Sequence, residues 1–292
     1  VSGYTPLVKV ISMESEYLSD DGLETPEVGA WAEEKYRIVN LYDTLFSTGM
    51  KNKWECRVYI DLYSGAGYSR IKGTKKIIRG SPMIALNVAH PFDKYIFCEK
   101  DESLMSALKE RVARDFPMRD VAFVWGDCNE NVSKIMSLIP PHSKDKKVLT
   151  LCFVDPFNIG IQFEIVKKLS SKIMDFLIVL AVGMDATRNE AIYADPGNSQ
   201  IDRFLGNSTW RQRWSEQRLL KIPFRHFLAQ EYANQMAQIG YLPISIDKMK
   251  EVKSDDKNLA LYHIAFFSKN KMGYSFWKDV LKYSDPQQTL GL

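Results

Sequence analysis

Between residues 31 and 182, short apolar runs alternate with segments whose apolar positions recur at helical spacing. Trp31 to Phe46 sets Trp31, Tyr36, Ile38, Val39, Tyr42, Leu45 and Phe46 near one face behind an acidic start at Glu33 and Glu34, and predicts a helix. Arg57 to Leu62 is short, apolar and β-branched, and predicts a buried strand. Four more strands are predicted over Lys94–Glu99, Val121–Trp125, Val148–Val154 and Asp175–Val182. The helices between them fall at Pro82–Ala89, at Glu102–Ala113, from after Asn129 to Ile139, and at about Gln162–Ser170. Ser81 is expected to cap the first of these, with Pro82 at its first position. Strand–helix repetition of this kind marks a parallel sheet covered by helices on both faces.

Beyond residue 183 the pattern changes. Residues 184–224 are rich in Arg, Trp, Asn and Gly and predict an inserted arm. A helix over Phe224–Ile239 is stopped by Gly240. Strands over Leu242–Lys248 and Leu261–Ser268 are joined by a short polar loop, which implies an antiparallel hairpin at the sheet edge. A last helix covers Asn270–Lys282. The expected fold is α/β: a doubly wound, mostly parallel seven-stranded sheet with a terminal antiparallel hairpin and an inserted helical arm. Residues 1–30 form an extended lead-in and residues 31–292 one domain with its insertion at about 184–224. Tyr68 to Ile78 stands as a Lys-rich polar insert after the first strand.

Composition changes this picture little. Of 292 residues, 45% are hydrophobic and 26% charged, enough to bury a sizeable core, and a net charge of +3 permits a nucleic-acid partner without demanding one. The four cysteines, Cys56, Cys98, Cys128 and Cys152, are widely spaced with no Cys-x-x-Cys pair, so free thiols are expected and a metal site is not. The longest apolar stretch, Phe176 to Met184, is too short to span a bilayer. No signal-peptide core opens the chain, Val1 in place of a methionine reads as a trimmed start, and a cytoplasmic location is expected.

Candidate chemistry gathers where the strands end. Asp61, Glu99, Asp127 and Asp155 close four consecutive predicted strands. Each alone reads as a cap or loop residue; together they line one edge of one sheet, the edge where ligands bind in open α/β folds. After Asp61 comes Leu62-Tyr63-Ser64-Gly65-Ala66-Gly67, a turn whose glycines let backbone amides approach a ligand. Glu99 is placed to accept from both ribose hydroxyls of a nucleotide, and Asp127 from an adenine amino group. Two cofactors fit. The NAD fingerprint Gly-x-Gly-x-x-Gly fails at Arg70, and no helix opens directly after the turn. That favours S-adenosylmethionine, with Asp61 near its cationic aminoacyl end and Ser81 within reach.

Several motifs then occur in a fixed order: Trp31-Ala-Glu-Glu-Lys35, Tyr59-Ile-Asp-Leu-Tyr-Ser-Gly-Ala-Gly67, Gly80-Ser-Pro82, Tyr95-Ile-Phe-Cys-Glu-Lys-Asp101, Gly126-Asp-Cys-Asn129 and Val154-Asp-Pro-Phe157. This set resembles the bacterial three-Cys-motif partner family, whose members are similar to class I S-adenosylmethionine-dependent methyltransferases. The similarity runs from about Trp31 to Trp277. It implies a Rossmann-like methyltransferase fold and a cofactor site drawn from Asp61, Tyr63, Ser64, Gly65, Ala66, Gly67, Ser81, Glu99, Lys100, Asp127, Cys128 and Asp155. It also implies association with a separate protein carrying three cysteines; the four cysteines of this chain are not that motif.

Asp155-Pro156-Phe157-Asn158 resembles, in addition, the Asp-Pro-Pro-Tyr box of enzymes that methylate amino groups of nucleic-acid bases, which must take the base out of its stack. Asp155, Pro156 and Phe157 are the catalytic candidates, although Phe157 and Asn158 replace the second proline and the tyrosine. Asp155 also reads as a structural or cofactor-edge carboxylate. In the arm, Trp210, Arg211, Arg213 and Trp214 mix basic and aromatic groups that could follow a DNA or RNA strand. The competing reading tucks the tryptophans into the core and leaves the arginines solvated. Two functions follow: a methyltransferase acting on nucleic acid, or a cofactor-binding partner of a three-cysteine protein with little or no turnover.

Overall fold

A computed structural model of the chain describes residues 17–183, 188–254 and 259–284. Its main sheet has seven strands: β2 (Cys56–Asp61), β5 (Lys94–Glu99), β6 (Val121–Trp125), β7 (Val148–Val154), β8 (Met174–Leu180), β9 (Lys250–Lys253) and β10 (Ala260–Phe267). They lie in the order β6-β5-β2-β7-β8-β10-β9. β2 pairs parallel with β5 and β5 with β6, whereas β10 runs antiparallel to both β8 and β9. The dinucleotide-binding order 3-2-1-4-5-6 is thus modified by a last strand inserted antiparallel between the fifth and sixth. This is the Rossmann-like methyltransferase arrangement expected from the sequence.

Contacts divide the chain into two units, residues up to Leu151 with those from Met272, and Cys152–Lys271. In the first, rings on β2 and β5 close the core: Tyr59 lies 5.2 Å from Phe92 and Tyr95 lies 5.9 Å from Phe97, ring centre to ring centre. Helix α1 (Ala32–Met50) adds Tyr42, which meets Trp277 of the last helix edge-on at 6.1 Å. In the second, Tyr232 is the hub, 5.4 Å from Phe163, 4.8 Å from Phe204 and 6.2 Å from Phe267.

Three predicted boundaries are corrected. The polar stretch after the first strand is a hairpin, β3 (Tyr68–Ile71) with β4 (Ile77–Arg79), and β1 (Glu27–Val28) from the lead-in pairs parallel with β3. Ile71 and Ile78 bury their side chains against Ala32, with Val28 and Tyr36 beside them, so this second sheet has a core of its own. The strand expected over Leu242–Lys248 starts instead at Lys250, behind a 3-10 turn at Ile246–Lys248. Pro243 has no amide to give a ladder, which disfavours a strand there. Finally, Gly80, not Ser81, holds the cap of α2 (Ser81–Leu86), with Ser81 as its first residue.

The remaining helices among the described residues are α3 (Glu102–Asp115), α4 (Cys128–Leu138), α5 (Phe163–Leu169), α6 (Glu190–Ala194), α7 (Gln200–Leu205), α8 (Trp210–Leu219), α9 (Phe224–Gln238) and α10 (Lys271–Ser284). Asp101 caps α3 as expected, its Oδ1 accepting the amides of Ser103 and Leu104 at 2.8 and 3.1 Å. Helices α6 to α8 fill the predicted arm; residues 184–187 at its start and 1–16 of the lead-in lie outside the described residues. No described helix is long and apolar enough to cross a membrane.

Candidate functional site

In the first unit the loops after β2, β5 and β6 meet around the glycine turn. Several groups in that turn are held by named partners. The Tyr63 amide donates to Asp61 Oδ1 at 3.1 Å. The amide and hydroxyl of Ser64 both donate to the Cys98 carbonyl, at 2.9 and 3.1 Å. The Gly65 amide donates to Glu99 Oε2 at 2.8 Å, and Arg111 Nη1 donates to the Ala66 carbonyl at 2.7 Å. The Gly67 carbonyl accepts the Gly80 amide at 2.7 Å. The chain therefore leaves the turn, makes the β3–β4 hairpin and comes back to it, so α2 begins beside the turn although it does not follow it in sequence.

The two glycines differ in kind. Both take left-handed backbone angles, φ +58° at Gly65 and +85° at Gly67. A Cβ on Gly67 would stand 2.9 Å from Met83 Cγ and 3.0 Å from Leu108 Cδ1, so this glycine lets the turn pack on α2 and α3. A Cβ on Gly65 would meet no atom within 4 Å. Open space in front of Gly65, beside a half-exposed Glu99, is the feature that fits a nucleoside.

Around that space stand Glu99, Lys100, Asp127, Cys128 and Tyr63. Glu99 uses one oxygen on Gly65 and the other on the Asp101 amide, 2.8 Å in each case, which leaves each oxygen a further lone pair for a ligand hydroxyl. Asp127 caps α4: its Oδ1 accepts from the Asn129 amide at 2.9 Å, and Lys100 Nζ reaches its Oδ2 at 3.2 Å. Although partial burial opposes it, these bonds hold the Asp127 carboxyl below its ordinary range. Burial pushes the Cys128 thiol up to about 11, opposed by a hydrogen bond with the Tyr63 side chain. Cys128 is a packed thiol, and all four cysteines are free and buried.

Asp61 ends β2 as expected, is fully buried and braces the turn through the Tyr63 amide. Behind it lies a residue the sequence reading passed over. Asp43, on the apolar face of α1 between Val39 and Phe46, is 1% exposed, and neither carboxyl oxygen has a hydrogen-bond partner. Burial, reinforced by the charge of Asp61, pushes the Asp43 carboxyl well above the usual range. A carboxylate inside an apolar helical stripe was the visible signal.

Asp155, Pro156 and Phe157 belong to the second unit, directly after β7. Asp155 is half-buried, Pro156 is buried, and Phe157 is completely exposed. The arm residues pack within the second unit. Trp210 and Trp214 are buried and pack on Phe224 and Phe227, with Trp214 4.7 and 5.1 Å from these rings. Arg211 is spent on Asp202 and the carbonyls of Ala194, Asp195 and Asn198. Arg213 is held by Glu231, its Nε donating to Oε2 at 2.9 Å. These four side chains fasten helices together; their rings and guanidinium donors are engaged within the chain.

No protein-family model matches the chain, and no curated protein matches it. Among solved structures it is similar to a protein of Legionella pneumophila strain Philadelphia 1, at 13% identity and a TM-score of 0.46, covering 85% of this chain and 92% of that one. It is also similar to an O-methyltransferase from Bacillus cereus in complex with SAH, at 12% identity and a TM-score of 0.45, covering 90% and 89%. A third is Trm1 from Pyrococcus horikoshii with S-adenosyl-L-methionine, at 9% identity and a TM-score of 0.41, covering 82% and 57%.

Proposed function

We propose that the chain binds S-adenosylmethionine at the glycine turn and transfers its methyl group to an acceptor on nucleic acid. The observation that carries the cofactor assignment is Glu99, a half-exposed carboxylate at the end of β5, bound to the Gly65 amide at 2.8 Å beside open space. One carboxylate at this point can accept both hydroxyls of a ribose, and an unsubstituted Gly65 lets the nucleoside lie against the backbone. The cofactor supplies an electrophilic methyl group on sulfur. This chain's residues have to hold and orient, with Glu99 on the ribose and the loop at Asp127 and Cys128 along the base. Direct transfer asks mainly for alignment.

For the acceptor, the arm gives no support once its arginines are committed internally. What supports a nucleic-acid base is the Asp155-Pro156-Phe157 sequence with its fully exposed ring, which offers a stacking face. The competing reading, a partner subunit of a three-cysteine protein, is favoured by a different observation: Leu219, Leu220 and Ile222 are exposed together at the end of α8. Titration calorimetry with S-adenosylmethionine, S-adenosylhomocysteine and NAD tests the cofactor. Transfer of a labelled methyl group to DNA, RNA or cell extract then separates the enzyme from the partner. Binding without transfer to any of them favours the partner, and tighter binding of NAD overturns the cofactor assignment.

A further inference from the structure

The second unit contains a cluster that the proposed reaction does not use. Glu251 on β9 and His263 on β10 are direct register partners in the antiparallel pair, so both side chains rise on one face of the sheet. His226, in the first turn of α9, comes to the same place. Glu251 Oε1 lies 3.5 Å from His226 Nε2 and 3.7 Å from His263 Nε2, and the ligating atoms of all three residues lie within 4.8 Å of one another.

These separations are informative because they are too long for hydrogen bonds, which for N–H···O fall at about 2.7–3.2 Å. The two from Glu251 come near the spacing of donors that share a metal, and the wider separations, up to 4.8 Å, would have to close as an ion bound. With metal–nitrogen and metal–oxygen bonds of about 2.0–2.2 Å in a tetrahedron, neighbouring donors stand roughly 3.3–3.5 Å apart. Exposure grades across the cluster: the side chain of His263 is 3% exposed, Glu251 26% and His226 34%. His263 forms the floor, and the other two form a rim open to water. The buried Nδ1 of His263 has no hydrogen-bond partner, so internal hydrogen bonding does not account for a histidine in this position.

We propose that His226, Glu251 and His263 form a binding site for a divalent transition metal, zinc in the first instance, with solvent in the remaining position. Two imidazoles and one carboxylate suit zinc, cobalt or ferrous iron better than magnesium or calcium, which prefer oxygen. Bound there, the ion would clasp the start of α9 to the β9–β10 pair. Two cations oppose it: Arg225 Nε lies 3.3 Å from Glu251 Oε1 and Lys253 Nζ lies 3.4 Å from Oε2. An incoming ion must displace Arg225 from the oxygen it shares with the histidines.

The test uses the full chain after dialysis against a chelator. Calorimetry with zinc chloride should give one site per chain, and cobalt(II) should produce the visible absorption of a low-symmetry site. His226→Ala, which alters a rim residue, and Glu251→Gln should each weaken zinc binding at least tenfold while leaving the circular dichroism unchanged. Arg225→Ala should tighten it by about tenfold, the effect of removing one neighbouring charge at a water-like dielectric. A wild-type chain that takes up neither ion at 100 equivalents overturns the proposal. So does a His226→Ala chain that folds and binds zinc as the wild type does, or an Arg225→Ala chain that binds it less tightly.

Discussion

Arg111 closes bidentately on Asp21, with Nε 2.9 Å from one carboxylate oxygen and Nη2 2.7 Å from the other, while its Nη1 reaches Ala66 in the glycine turn. The guanidinium is wholly buried and stacked 4.4 Å from the Tyr68 ring centre. A single side chain of α3 thus ties the lead-in, the β3–β4 hairpin and the candidate cofactor turn together. Arg111→Met leaves the partly buried Asp21 with Arg114, at 3.1 Å, as its remaining cation and is expected to cost about 1.5–3 kcal/mol in urea unfolding. Losses below about 1 kcal/mol would show that the lead-in is not anchored there.

The same pair sets an acid limit. The Arg111 hydrogen bonds hold the Asp21 carboxyl down at about 2, below its ordinary 3.8. A depressed carboxyl contributes stability that is fully present above about 4 and is lost as pH falls through 2. For a shift of this size the contribution is roughly 2 kcal/mol. Asp21→Asn should therefore be less stable than the wild type at pH 6 and indistinguishable from it near pH 1.5. Parallel stability curves over that range would refute the assignment.

Glu99→Ala is expected to weaken S-adenosylmethionine binding by about 1.5–3 kcal/mol, the size of a hydrogen bond to a charged group. The variant also loses two amide anchors, at Gly65 and Asp101, so its melting temperature has to be followed beside its affinity. Glu99→Gln keeps one carbonyl acceptor and should fall between. Calorimetry that finds both variants equal to the wild type removes Glu99 from the site.

The order of these elements was readable because β2, β5, β6 and β7 are short, mostly apolar runs that end at or just before the polar residues Asp61, Glu99, Asp127 and Asp155. What escaped depended on partners far away in the chain. Asp21 reads as one acid among several until Arg111, ninety residues on, is placed against it. The β3–β4 hairpin is rich in lysine, and its buried Ile71, Ile77 and Ile78 are too few to show a period. Leu242, Ile244 and Ile246 alternate like a strand, yet Pro243 removes a donor and the ladder starts later. His226, Glu251 and His263 share nothing in sequence; only the cross-strand register and the start of α9 bring them together. In the arm, Trp210 and Trp214 stand one helical turn apart, which fits a packed face as well as a stacking platform, and composition alone could not decide between them.

The arm yields a prediction of the opposite sign to a nucleic-acid surface. Arg213 is the main partner of the nearly buried Glu231, and Arg211 joins α6, α7 and α8 through Asp202 and three carbonyls. Arg213→Ala should lower stability by about 1–3 kcal/mol, because Glu231 is left short of a donor. The salt dependence of any DNA or RNA binding should stay unchanged. A slope reduced by about one unit with full stability would restore the arm as a phosphate-tracking surface.

Asp43 offers the last test, because burial and the neighbouring Asp61 both disfavour its charge. At 1% exposure and beside Asp61, it is favoured in the neutral form in the folded chain. The sign follows from the protons. Unfolded, Asp43 ionises near its ordinary pKa; folded, it keeps its proton to higher pH, so the folded state binds one proton more across the interval. Stability from this group is complete below about pH 4 and falls as pH rises, by about 1.4 kcal/mol per unit, until the folded carboxyl also titrates. Asp43→Asn keeps the shape and removes the titration. Its stability relative to the wild type should therefore improve steadily from pH 5 upward, as measured by urea midpoints at pH 5, 6, 7 and 8. A difference that does not change with pH would mean that Asp43 ionises equally in both states, and that water or another group reaches it beneath the glycine turn.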